Sequence, residues 1–134
     1  MKIYLSIIII ILCIVLSLRE LFIPDKIKGK KISVENFFIL AIIYATVMIG
    51  FGLIFYLLAA QGHQVLIEAD HNHSETELGR VETSLYFSAI TLFSVGYGDI
   101  APVGIGRVLA VVEALVGYTI PTAFVARTVF DRRG

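Results

Sequence analysis

Residues 94–99 read Ser-Val-Gly-Tyr-Gly-Asp, inside a chain that is 57% hydrophobic. Glycine at alternate positions lets the backbone enter left-handed φ cheaply. Alternating left- and right-handed residues aim successive carbonyls to one side. The carbonyls of Ser94, Val95, Gly96 and Tyr97, with the Ser94 hydroxyl, then form a line of oxygens. Oxygen ligands suit a hard cation. One chain supplies too few of them to replace a hydration shell, so several chains must converge. Two further residues stand out because they interrupt an apolar run, Glu113 and Pro121. A carboxyl within a membrane-length segment marks a functional site by default. A proline deprives the carbonyl four residues earlier, here that of Gly117, of its helical donor.

The elements that must hold these residues are set by the apolar runs. Charged residues make up only 16% of the chain, too few for a soluble domain of 134 residues, and a net charge of zero gives no basic field for nucleic acid. The run 3–18 is short for a membrane span, but Lys2 and Arg19 can snorkel to extend it. It has no small-x-small cleavage site before Arg19, so residues 1–23 are expected to form a retained transmembrane helix rather than a signal peptide. Segments 37–60 and 106–130 both have spanning length, and Gly50 and Gly52 in the first permit close helix packing. Between them, residues 61–82 are polar, and 83–93 form an amphipathic stretch of about 11 residues, too short to cross a bilayer. This stretch reads as a re-entrant helix. Irregular backbone at membrane depth, such as 94–98, survives only when buried in protein or lining a water-filled cavity. The lone Cys13 sits in the first apolar run and has no partner for an internal disulfide.

Basic residues orient the chain. The linker 24–36 carries Lys26, Lys28, Lys30 and Lys31, and the C-terminus carries Arg127, Arg132 and Arg133, so both are expected to be cytoplasmic. The Lys26–Lys31 cluster is also placed to meet anionic lipid headgroups. The 61–82 loop holds Glu68, Asp70, Glu75, Glu77 and Glu82 against Arg80 alone and is expected outside. Fourfold repetition of that excess would concentrate cations at the mouth within a Debye length of about 8 Å. His63, His71 and His73 lie in the same loop without a defined ligand set, and read as solvated residues.

Ser94-Val95-Gly96-Tyr97-Gly98-Asp99 closely resembles the TVGYGD filter of potassium channels, with serine in the threonine position. The resemblance covers about residues 37–130: outer helix 37–60, turret 61–82, pore helix 83–93, filter 94–98 and inner helix 106–130. It is strengthened by the amphipathic stretch before the motif, by Pro102, Gly106 and Arg107 after it, and by Gly117 in the following span. It implies an all-α membrane protein in the plasma membrane, a homotetramer around a central pore, with K⁺ as the permeant ion held by rings of carbonyls from Ser94, Val95, Gly96 and Tyr97. Gly98, Asp99, Thr91 and Glu113 would support the filter. Glu113 is expected to lie behind it and to accept hydrogen bonds from Thr91, Ser94 or a neighbouring hydroxyl, the alternative being that it faces the cavity and attracts K⁺. Gly117 and Pro121, one turn apart, would form a gating hinge. Tyr97 would hydrogen-bond a neighbouring pore helix or pack with Tyr86 and Phe87. The sequence departs from the family at Ile90, where many members place a glutamate that pairs with the filter aspartate, and at Phe93, which is expected to pack rather than bind ions.

Competing functions fit less well. A weakly selective cation channel would lack the tyrosine or the second glycine, and both are present. A potassium-uptake transporter carries several pore loops, against one here, and a non-conducting regulatory subunit would not need an intact filter. No nucleophile–base pair, phosphate loop or metal cluster supports an enzyme.

Overall fold

The computed structural model describes residues 1–22, 34–69 and 76–130. Asp70, His71, His73 and Glu75, the Lys26–Lys31 cluster, Arg132 and Arg133 lie outside the described residues. Element order is α1 (Lys2–Phe22), α2 (Val34–Ala60), β1 (Leu66–Glu68), α3 (Glu77–Leu92), β2 (Ile100–Pro102) and α4 (Ile105–Phe130). Among the described residues three helices are long and apolar enough to cross a membrane, over Lys2–Arg19, Phe37–Ala60 and Ile105–Ala126. The protein is therefore an all-α membrane protein apart from one small strand pair.

Helices approach closely where the sequence removes side chains. In α2, Gly50 receives the tip of Ile14 from α1, and Gly52 receives Leu85 from α3. Small residues drive helix contacts in membranes because the packing itself, rather than exclusion of water, is the attraction there. Ile14 is the buried residue of α1, flanked by the half-buried Ile10 and Leu18 at one-turn spacing. The remaining core joins Val47, Phe51, Ile54 and Phe55 of α2 to Phe87, Ile90 and Leu92 of α3 and to Ala110 and Ile120 of α4. Phe55 and Phe87 meet edge to face at 5.1 Å and 89°.

Helix α3 begins six residues before the expected Thr83. Thr76, in extended conformation, caps it by accepting the Gly79 N–H at 3.1 Å, and Arg80 pairs with Glu77 one turn apart at 3.1 Å. The polar residues expected as turret loop therefore form its first turns. At about 1.5 Å per residue its 16 residues reach roughly 24 Å, still short of the bilayer core of about 30 Å.

The expected turret also contains β1, which pairs antiparallel with β2 in the register Leu66↔Pro102, Ile67↔Ala101, Glu68↔Ile100. Hydrogen bonds from Ala69 N–H to the Asp99 carbonyl (3.0 Å) and from Val103 N–H to the Val65 carbonyl (2.8 Å) extend the pairing at both ends. Thr83 of α3 donates to Glu68, which ties the strand pair to that helix. The backbone leaving residue 98 is thus clamped before it enters α4. At the start of α4, Gly106 lies directly against the Val65 carbonyl, leaving no room for a Cβ.

Candidate ion pathway

The segment 94–98 hangs from the end of α3. Ser94 N–H donates to the Thr91 carbonyl at 3.1 Å, and Val95 and Gly96 N–H both donate to the Ile90 carbonyl, at 2.9 and 3.2 Å. These bonds satisfy carbonyls that the last turn of a helix otherwise leaves open. They also set direction. In a trans peptide the C=O points opposite to the N–H, so binding the Val95 and Gly96 amides to α3 turns the Ser94 and Val95 carbonyls away from it. Thr91 acts here through its carbonyl.

Left-handed φ falls at every second residue: Ser94 (+56°), Gly96 (+56°) and Gly98 (+80°). The glycines pay little for this; serine, with a Cβ, gives up roughly 1–2 kcal/mol. A threonine would fare worse there, because β-branched residues resist φ > 0 more strongly. The serine in place of threonine at 94 therefore suits the observed backbone. The glycine spacing alone predicts left-handed φ at 96 and 98; the structure adds Ser94.

Asp99 follows the 94–98 segment, is exposed, and accepts a hydrogen bond from the Tyr86 hydroxyl at 2.8 Å. That bond raises the Tyr86 phenol above its ordinary pKa of 10.0, with smaller contributions from desolvation and from the negative charge of Asp99. Tyr86 on α3 is thus a hydrogen-bond partner of Asp99, which Ile90 cannot be. Ile90 is instead buried in the apolar core. Tyr97 does not share the Tyr86 contact: its side chain is 74% exposed, and Val95 is 50% exposed. Phe93 packs as expected, its ring stacked on Tyr44 of α2 at 5.3 Å and 13°.

Glu113 is fully buried, and the hydroxyl it accepts from is that of its neighbour Ser88, not Thr91 or Ser94. Ser88 also donates to the Met48 carbonyl of α2 at 2.7 Å. A hydroxyl has one proton to give, so it serves the Met48 carbonyl and Glu113 together when the carboxyl is itself protonated and returns a hydrogen bond to the serine oxygen. The second carboxyl oxygen, Oε2, has no hydrogen-bond partner among the described residues, which a neutral acid tolerates far better than a carboxylate. Glu113, Ser88 and Met48 thus join α4, α3 and α2 in one polar contact. Its partner was not legible from spacing along the chain, because the three residues come from three helices.

Gly117 is a packing residue. Its Cα rests on the Leu92 carbonyl, the last of α3, with no space for a methyl group. Its own carbonyl accepts from the Tyr44 hydroxyl at 2.8 Å. Four residues on, Pro121 sits within α4, which continues as helix to Phe130. Thr119 and Thr122 bond back to the carbonyls of Leu115 and Tyr118 at 2.6 and 2.8 Å.

Among known proteins, a family model described as "Ion channel" matches residues 43–130. The chain is 44% identical over 101 residues to Protein LctB of Bacillus caldotenax, and 45% identical over 101 residues to Protein LctB of Geobacillus stearothermophilus, covering 75% of each chain in both cases. No solved structure matches. The matched region runs from the middle of α2 through the 94–98 segment to the end of α4, and the chain belongs to this ion-channel family, the pore family of the two-transmembrane potassium channels.

Proposed function

We propose that the protein is a potassium-selective channel that conducts K⁺ passively through a homotetrameric pore. The observation that carries this is the left-handed backbone at 94, 96 and 98, hung by its amides from the end of a short helix between two spanning helices. In this reading the carbonyls of Ser94, Val95, Gly96 and Tyr97, with the Ser94 hydroxyl, replace water around the ion. Gly98 and Asp99 close the outer end, and Thr91 and Glu113 hold the segment from behind. Gly117 and Pro121 form the bend at which the inner helix gates.

The same segment supports assembly from several copies, which this reading takes as four. Its backbone lies at membrane depth, where exposed amides and carbonyls cannot face lipid. Val95 and Tyr97 are exposed on a single chain, and so are Val108, Val111, Leu115 and Tyr118, which share one face of α4. Neighbouring copies would cover both. Glu68, Glu82, Tyr86 and Asp99 line one cleft beside the exit of the segment. With the turret outside and both the 24–36 linker and the C-terminus in the cytoplasm, those carboxylates would draw cations to the plasma-membrane mouth, and Lys26–Lys31 would face the inner headgroups.

Purified protein in liposomes loaded with KCl tests this reading. A tetrameric mass in detergent and K⁺ efflux driven by its own gradient are expected. A monomer that releases no K⁺ would reject it.

A further inference from the structure

Pro121 brings no N–H to α4, so the Gly117 carbonyl lacks its regular helical donor. An open carbonyl at membrane depth has no water to turn to. The nearby threonines do not serve it, because Thr119 and Thr122 bond to Leu115 and Tyr118 instead. The Tyr44 hydroxyl, from the middle of α2, does so at 2.8 Å. The pairing is reciprocal: a phenol in the middle of an apolar span needs an acceptor as much as the carbonyl needs a donor. The same tyrosine ring stacks on Phe93, the residue that leads into the filter segment. The Cα of Gly117 meanwhile rests on the Leu92 carbonyl.

We infer that Tyr44 is a positioning residue for the inner helix: its hydroxyl replaces the amide that Pro121 removes and fixes the filter-side half of α4 against α2 and Phe93. This rests on the reading of α4 as the inner helix of a channel. Any bend of α4 at Gly117–Pro121 that carries the Gly117 carbonyl away from α2 must break this bond. The bond therefore weights the balance between straight and bent α4. Its deletion should matter only while the carbonyl has no other donor.

The test is a double-mutant cycle on the full chain. Tyr44→Phe keeps the ring and its stack on Phe93 but removes the hydroxyl. Pro121→Ala restores a backbone N–H to the Gly117 carbonyl. In planar bilayers Tyr44→Phe alone should change the ratio of open to closed dwell times about fivefold, the ordinary worth of one hydrogen bond. In the Pro121→Ala background the same change should be less than about twofold. Denaturation of the purified protein should follow the same pattern, with Tyr44→Phe costly beside proline and nearly silent beside alanine. No effect of Tyr44→Phe in the parent, or an equal effect in both backgrounds, overturns the assignment. A parent protein that carries no current contradicts the channel reading separately, and the denaturation cycle then still decides the Tyr44 pairing.

Discussion

Gly117→Ala separates two roles that one glycine can play. If the glycine served only as a flexible point in α4, alanine would stiffen the helix and stabilise the protein by about 1 kcal/mol through helix propensity. The structure predicts the opposite sign. A methyl on Gly117 would stand 3.0 Å from the carbonyl carbon of Leu92 and 3.2 Å from its Cα, and nearer still to the oxygen. Carbon atoms pack best at roughly 3.5–4.0 Å, so α4 must retreat by at least about half an ångström from the end of α3. Overpacking of this kind costs about 1–3 kcal/mol, and the upper part of that range applies because backbone rather than a rotatable side chain blocks the methyl. After the propensity gain, a net loss of about 1–2 kcal/mol is expected. Gly50→Ala is the internal control, since its methyl would meet side chains rather than backbone, Ile14 at 2.6 and 2.8 Å and Ile10 at 3.4 Å, which can rotate away. Denaturant titration of the purified protein, followed by loss of helical circular dichroism, should show Gly117→Ala clearly weakened and Gly50→Ala close to the parent. A Gly117→Ala protein as stable as the parent, or more so, refutes the packing role.

Two more predictions follow from the polar contacts. Glu113→Gln should be tolerated, because its amide can donate to Ser88 as a protonated carboxyl does, whereas Glu113→Leu should cost about 0.5–1.5 kcal/mol, since Ser88 keeps its bond to the Met48 carbonyl but its oxygen loses a donor; equal losses in a denaturation assay would contradict the neutral contact. The raised pKa of Tyr86 belongs to its hydrogen bond with Asp99, so the stability it brings is fully present below pH 10.0 and is lost as pH rises through the higher folded-state value. A pH scan should therefore show Tyr86→Phe differing from the parent at neutral pH and converging on it in strong alkali, and a constant difference would contradict the assignment.

Three helices long and apolar enough to cross a membrane were legible in the apolar runs, and the break in helix at 94–98 was legible because paired glycines around a tyrosine have no role in a helix. The β1–β2 clamp was not legible. Three-residue strands carry too little periodicity to announce themselves, and what pairs Leu66 with Pro102 is the fold that brings them together. The early start of α3 had a signal in Thr76 and in the Glu77–Arg80 spacing, outweighed by the polarity of the stretch. Tyr44 had a signal too: a hydroxyl in the middle of one apolar helix and a proline-freed carbonyl in another each need a partner. Nothing along the chain says that they find each other. Glu113 stood out as a carboxyl in an apolar run, but which hydroxyl it meets was hidden for the same reason.

The central claim, selective conduction through the Ser94–Tyr97 carbonyls, is tested most directly by the reversal potential of the reconstituted protein with K⁺ on one side of the bilayer and Na⁺ on the other. A reversal potential far toward the K⁺ equilibrium value is expected, collapsing toward zero when Gly96 is replaced by alanine, which cannot take φ of +56° without strain. A parent reversal potential near zero, with current carried equally by Na⁺, would contradict the account.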